Sequence, residues 1–111
     1  MFEAGALVLL PFPFSDATTV KRRPVLALTR PDEYGDFIGI AVSSRAHHAN
    51  AVPLRDDSLQ EGCLPKASWI RVDRVVTLNA GLVIKVVAKT KADVHRQVVS
   101  GLCEMLQKQI A

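Results

Sequence analysis

The chain has 111 residues, of which 49% are hydrophobic and 23% are charged. This length predicts one domain, residues 1–111, that can bury a hydrophobic core, and the composition excludes an intrinsically disordered chain. The net charge of +3 is compatible with a nucleic-acid partner if the cations cluster, but the charge alone does not demonstrate one.

The cysteines and the N-terminal segment predict a cytoplasmic protein. Cys63 lies in a loop-like stretch and Cys103 on the apolar side of a predicted helix. Two thiols without motif spacing do not form a disulfide framework, so a reducing compartment is expected. The apolar run Ala4–Leu10 lacks a preceding basic segment and is followed by Pro11 and Pro13. We therefore expect neither a signal peptide nor a membrane span there.

The N-terminal half of the chain predicts short strands separated by polar turns. Pro11 is expected to end the first strand because proline cannot donate to a β-ladder. A polar loop is expected at 15–23 and a surface loop at 55–62. The predicted strands are Gly5–Leu10, Val25–Thr29, Phe37–Ser43 and Ala51–Leu54.

The next segment predicts a long strand, a turn and another strand. Ala67–Val72 and Arg74–Leu78 are expected to form one strand bent near Asp73, with a turn at Asn79–Gly81 and another strand at Leu82–Ala88. Strands with turn signals about every ten residues predict a small barrel rather than alternating βαβ units.

From Thr90 onward the apolar period changes from that of a strand to that of a helix. Thr90 followed by Asp93 predicts a start that resembles a capping box. The apolar positions recur at three- and four-residue steps, the spacing of an amphipathic helix: Val94, Val98, Leu102, Met105, Leu106 and Ile110. The predicted fold is therefore mainly β, a small barrel with one long C-terminal helix packed on it.

Three segments, in order along the chain, resemble the MazF/PemK family of toxin ribonucleases. They are GALVLLPFPFSDATTVKRRPVLAL, IAVSSR and ASWIRVDRVVTLNAGLV. In the family, a first strand leads through a loop to RPV or RPA, the third strand ends in Thr or Ser, and a later strand pair often reads VRVDKL followed by TL. The resemblance is collinear over nearly the whole chain, and it implies an SH3-like β-barrel of the MazF/PemK type with a C-terminal helix.

The same resemblance implies a function. It identifies the chain as the toxin of a type II toxin–antitoxin system, an endoribonuclease that cleaves single-stranded RNA at short sequences through a 2′,3′-cyclic phosphate. It implies no metal ion or other cofactor, a homodimer, a cognate antitoxin and no membrane association. Two alternatives remain open: a catalytically inactive barrel that binds RNA or a protein partner, and a structural or small-ligand β-barrel.

Carried over to this sequence, the catalytic residues of the family fall on Arg23, which precedes a proline, and on Ser43, with Ser44 as the alternative hydroxyl. A permanently charged guanidinium suits the stabilisation of a pentacoordinate phosphorane, and a serine can hydrogen-bond the phosphate and relay a proton. His47 and His48 follow closely, and histidine is suited to proton transfer near neutrality, although exposed histidines are common in such connections.

The aromatic and basic residues around the loop at 15–23 are expected to contact RNA. Of Phe12 and Phe14, one ring is expected to face the core and the other to stack on a base, with core or dimer contacts as the competing interpretation for both. The cations would hold phosphates, and Trp69 is expected in the core. The predicted RNA contacts are Phe14, Ser15, Lys21, Arg22, Ser44 and Arg45.

Overall fold

The computed structural model describes residues 2–13, 20–46 and 51–110. Within them, a curled antiparallel sheet has the strand order β4-β6-β3-β2-β1-β7-β5, and a C-terminal helix follows it. This mainly β architecture with one long terminal helix confirms the predicted fold class. The elements are β1 (Ala6–Pro13), β2 (Val20–Ala27), β3 (Asp36–Ser43), β4 (Ala51–Leu54), β5 (Leu59–Gly62), β6 (Ser68–Asn79), β7 (Lys85–Thr90) and α1 (Ala92–Lys108).

The hydrophobic core consists of two clusters, because side chains of the central strands alternate between the two faces of the sheet. One cluster includes Leu7 and Leu26 together with Val98, through which α1 packs on the sheet. The other includes Val8 and Phe37. β1 and β2 are therefore buried on both faces near the middle of the sheet.

β1 continues through both prolines to Pro13, so the expectation that Pro11 ends the strand is wrong. The carbonyl of Leu9 accepts from the N–H of Ile84 at 2.8 Å, on the side of β1 that faces β7. Alternation places the nitrogens of Pro11 and Pro13 on that same side, where the pairing with β7 ends at Leu9. The two prolines therefore remove no N–H donor from the hydrogen bonds between β1 and β2. Prolines within strands are tolerated at such positions.

β2 begins at Val20 and ends at Ala27, whereas Val25–Thr29 was expected. Residues 20–23 of the predicted polar loop are therefore strand, paired with the end of β1. Residues 15–19 of that loop lie outside the described residues. The correction matters because it places Arg23 within a strand, where its direction is fixed by pairing.

The expected surface loop at 55–62 contains a 3₁₀ turn, Asp56–Ser58, followed by β5, which pairs with β7. Gly62 at its end has φ of 81° and approaches β7 so closely that a Cβ there would lie 2.3 Å from the carbonyl oxygen of Val87. Only a glycine permits this close approach. Because glycine weakens a strand pattern, the segment Leu59–Gly62 was not recognised as a strand in the sequence.

β6 is a single long strand, and the bend expected near Asp73 is confirmed. Its pairing with β3 shifts from Ile70 opposite Val42 to Val75 opposite Ile40. This irregularity leaves the segment 71–74 without partners in β3, in the manner of a β-bulge, although Arg71 still pairs with Ala51 of β4. The expected turn after β6 is also present, as a 3₁₀ turn at Ala80–Leu82. The strand expected at Leu82–Ala88 is wrong in its bounds, because Leu82 belongs to that turn and β7 runs over Lys85–Thr90.

The start of α1 differs from the expected capping box. Its N-cap is Lys91, without a side-chain capping bond, while Thr90 is the last residue of β7 and donates its hydroxyl to the carbonyl of Gly5 at 3.0 Å. Cys103 is exposed, so its placement on the packed side of the helix was wrong. No helix among the described residues is long and apolar enough to cross a bilayer.

Candidate active site

The pairing of β2 with β3 brings the two proposed catalytic residues together. Val25 lies opposite Ala41 at the end of the paired stretch, and Arg23 and Ser43 each lie two residues beyond this pair, so alternation turns both to the face of Val25 and Ala41. Directly opposed residues of an antiparallel pair point to the same face. Both side chains are half-buried and both line the same two adjoining cavities.

The first of these, the cationic cavity, has a volume of about 790 Å³. Among the described residues that line it none is acidic, and seven of the chain's 14 lysines and arginines are among them. Such a concentration of one sign of charge attracts a polyanion. The seven are Lys21, Arg22, Arg23, Arg45, Lys66, Arg71 and Arg74.

Three of these cations, Lys66, Arg71 and Arg74, were missed in the sequence. Arg71 and Arg74 are three residues apart, and in a regular strand they would point to opposite faces of the sheet. The irregular segment of β6 between Ile70 and Val75 instead lets both line the cavity. The two arginines are visible in the sequence as basic residues within a β-rich segment, but the two-residue period of a strand predicts that they lie on opposite faces.

Arg71 is held in place by Asp73. Its Nε donates to Oδ1 at 3.1 Å and its Nη2 to Oδ2 at 2.8 Å, a bidentate geometry that fixes the guanidinium plane. The hydrogen bond from Arg71 lowers the pKa of Asp73 below its ordinary value, against the opposing effect of desolvation. Asp73 therefore stays ionised and partly offsets the charge of Arg71.

The second cavity, the apolar cavity, has a volume of about 570 Å³. Its lining residues come from β1, β2, β3, β7, the start of β6 and the segment after β5. The apolar ones are Leu9, Pro24, Val42, Leu64, Pro65, Val86 and Val87. The two cavities meet at residues that line both of them: Arg22, Arg23, Pro24, Val42, Ser43, Ser44 and Lys66. Arg23 and Ser43 thus stand on the boundary between a charged and an apolar surface.

The two serines at the end of β3 differ in environment. The Ser43 hydroxyl oxygen accepts from the backbone N–H of Arg45 at 3.0 Å, which orients it while its proton can still be donated. Ser44, the first residue after β3, is exposed and also lines both cavities.

Of the other predicted contacts, Lys21, Arg22 and Arg45 are exposed and line the cationic cavity. Phe14 and Ser15 lie outside the described residues, as do His47 and His48, and the structure does not describe the side chain of Phe12. Trp69 is half-buried. Within 2–13, 20–46 and 51–110, the structure has no group of three or more His, Cys, Asp or Glu side chains that could hold a metal ion.

The fold and the site define a small, mainly β protein in which Arg23 and Ser43 line a cationic cavity. A sequence model of the PemK-like, MazF-like toxins of type II toxin–antitoxin systems matches residues 3–106. The chain belongs to this family, as its sequence motifs predicted.

Solved structures of MazF proteins are similar to this chain in fold. A MazE–MazF complex (form II) from Deinococcus radiodurans is similar with a TM-score of 0.75 and 25% sequence identity, covering 96% of both chains. MazF (form I) from the same organism gives a TM-score of 0.74 at 26% identity, again over 96% of both chains. An endoribonuclease from mycobacterial species has a TM-score of 0.69 over 96% of this chain and 91% of its own, and its 13% identity supports the fold alone. No match was found among curated protein sequences.

Proposed function

We propose that this toxin is a metal-independent endoribonuclease that cleaves single-stranded RNA at short sequences. The observation that supports the proposal is that Arg23 and Ser43 line the same two adjoining cavities, one of which has seven lysines and arginines among its lining residues. A strongly cationic groove binds the phosphate backbone, and the paired side chains supply a fixed charge and a hydroxyl beside it. Membership of the toxin family supports the same activity.

In the proposed reaction, the 2′-hydroxyl attacks the adjacent phosphorus, and the bond to the 5′-oxygen breaks. The products are a 2′,3′-cyclic phosphate and a free 5′-hydroxyl. Arg23 stabilises the charge that develops on the phosphorane oxygens. Ser43, oriented by the N–H of Arg45, hydrogen-bonds the phosphate and relays a proton, because an isolated serine is a poor acid or base near neutrality.

The other predicted properties are part of the proposal. The chain acts in the cytoplasm as a single domain over 1–111, forms a homodimer, and is neutralised by a cognate antitoxin. The antitoxin is supported by the similarity to the MazF chains of Deinococcus radiodurans, one of which was solved in a MazE–MazF complex.

The test is cleavage of a long single-stranded RNA by the purified protein in EDTA. Arg23→Ala is expected to lower kcat about 10²- to 10³-fold, the loss typical of removing one donor that stabilises a transition-state oxyanion. Arg30→Ala is the matched control, because Arg30 is exposed and lines neither cavity.

Two outcomes would contradict this assignment. Equal cleavage by wild type and Arg23→Ala would remove the arginine from the mechanism. Binding of RNA without cleavage would instead favour an inactive RNA-binding barrel. Comparing Ser43→Ala with Ser44→Ala identifies the hydroxyl, and we expect the larger loss for Ser43→Ala.

A further inference from the structure

We propose that the apolar cavity binds one unstacked base of the RNA substrate and selects the cleavage sequence, whereas the cationic cavity holds only the phosphate backbone. This inference rests on the proposed function and adds to it a division of roles within the site. Leu64 and Val86 would then be specificity-determining residues, and Arg74, which lines only the cationic cavity, would be an affinity-determining one.

The residues that line only one of the two cavities differ in chemistry: those of the apolar cavity are mainly apolar, and those of the cationic cavity include four cations. Leu9, Leu64, Val86 and Val87 are among the residues that line only the apolar cavity. Aliphatic groups gain nothing from contact with a phosphate but gain from covering the face of a base. The volume of about 570 Å³ falls within the usual range of small-ligand sites, roughly 300–1,000 Å³. Single-stranded RNA can place a splayed base in such a pocket.

The position of the cavity identifies its occupant. Arg23 and Ser43 line both cavities, so a phosphate held between them lies at the entrance of the apolar one. The base of an adjoining nucleotide is attached to that phosphate through a single ribose. Lys66 and Lys85 also line this cavity, and their ammonium groups can donate to the carbonyl or ring-nitrogen acceptors of a base.

The walls of the apolar cavity differ in rigidity, which decides where a substitution acts. Leu64 is half-buried and packs against the larger core cluster, so its side chain is a fixed wall. Val86 lies on β7 with 51% of its surface exposed, so a substitution there disturbs the core less than one at Leu64. A large-to-small change at Leu64 enlarges the pocket on one side.

The experiment is cleavage of a randomised single-stranded RNA library in EDTA, with sequencing of the new ends and kinetics on the preferred motif and its single-base variants. Leu64→Ala is expected to change the base preference at one position of the motif by about tenfold or more, as the removal of methylenes from a specificity pocket does. Val86→Thr, of nearly the same shape, is expected to change the preference at the same position. Neither substitution removes a cation, so the salt dependence of kcat/KM should stay that of the wild type.

Arg74→Gln is the contrasting variant. It is expected to lower kcat/KM for every motif by the same factor, with an unchanged motif, and to reduce the slope of log kcat/KM against log salt by about 0.7, the value for one lost contact to a single strand. Leu106→Ala serves as the control for truncating a leucine, because Leu106 is exposed on α1 and lines neither cavity.

Folding of each variant is checked by its thermal unfolding transition, and Val86→Thr decides the question if Leu64→Ala does not fold. An unchanged motif in folded Leu64→Ala and Val86→Thr would overturn the inference while leaving the proposed nuclease function intact. A change of solution mass on Val86→Thr, with the cleavage motif retained, would also overturn it and would show the cavity to be a protein contact. Absence of cleavage by the wild-type protein would overturn both proposals.

Discussion

Replacement of Gly62 by alanine tests how β5 holds the wall of the candidate site. Gly62 ends β5 with φ of 81°, opposite Ala88 of β7. An added Cβ would lie 2.3 Å from the carbonyl oxygen of Val87 and 2.6 Å from the Cα of Ala88. Both of these are backbone atoms of the neighbouring strand, so no side-chain rotation can relieve the overlap.

Two costs add in this variant. Holding an alanine in the left-handed region costs about 1–2 kcal/mol. The contacts of 2.3 and 2.6 Å must open by about 1 Å before carbon atoms reach their optimal separation, and this separates β5 from β7. We therefore expect a total loss of about 3 kcal/mol, towards the upper end of ordinary single substitutions. Since the segment from Cys63 to Lys66 follows directly and lines the apolar cavity, the cleavage motif should also lose definition.

The assay is urea and thermal unfolding of Gly62→Ala beside Gly101→Ala. At Gly101, in the middle of α1, an added Cβ meets only the Cγ1 of Val72, at 3.8 Å, so alanine should raise the free energy of unfolding by up to about 1 kcal/mol through its helix propensity. For Gly62→Ala we expect Tm to fall by roughly 12 °C, at about 4 °C per kcal/mol for a chain of this size. A Tm within a few degrees of the wild type would refute the close approach of β5 to β7.

Two further predictions concern stability. Burial lowers the pKa of His95 below its ordinary 6.5, and its Nδ1 is buried without a hydrogen-bond partner, so the unfolded chain binds the proton more readily. The stability that neutral His95 contributes is therefore full above about pH 6.5 and is lost as the pH falls through the folded pKa. His95→Gln should flatten this part of the curve of unfolding free energy against pH. An unchanged slope would contradict the assignment of this pH dependence to His95. The Asn79 side chain donates to the Tyr34 carbonyl and to Asp36, both at 3.1 Å, and accepts from the N–H of Gly81 at 2.8 Å. Asn79→Ala should cost about 1–2 kcal/mol in urea unfolding, and a loss below about 0.5 kcal/mol would show that these exposed bonds are replaced by water.

Local patterns in the sequence predicted most of the elements correctly. The alternation of β3, the bounds of β4, the long bent β6 and the period of α1 all follow from neighbouring residues, because side-chain direction repeats every two residues in a strand and every 3.6 in a helix. Arg23 and Ser43 were also selected in the sequence, through the resemblance to the toxin family. The errors at Pro11 and in β5 both arise from contacts between strands that the local sequence does not encode. Pro11 is tolerated because its nitrogen faces a side of β1 that has no partner there, and β5 forms because Gly62 lies unusually close to β7.

Amino-acid order alone determined that this chain is mainly β with a terminal amphipathic helix, and that it resembles the MazF/PemK toxins. Only the tertiary structure showed that Lys66, Arg71 and Arg74 join the cations of β2 around one cavity, and that an apolar cavity adjoins it. The physical reason is distance along the chain. About fifty residues separate β2 from Arg71, and no local periodicity encodes a register between strands so far apart, or the irregularity that turns two arginines to the same side.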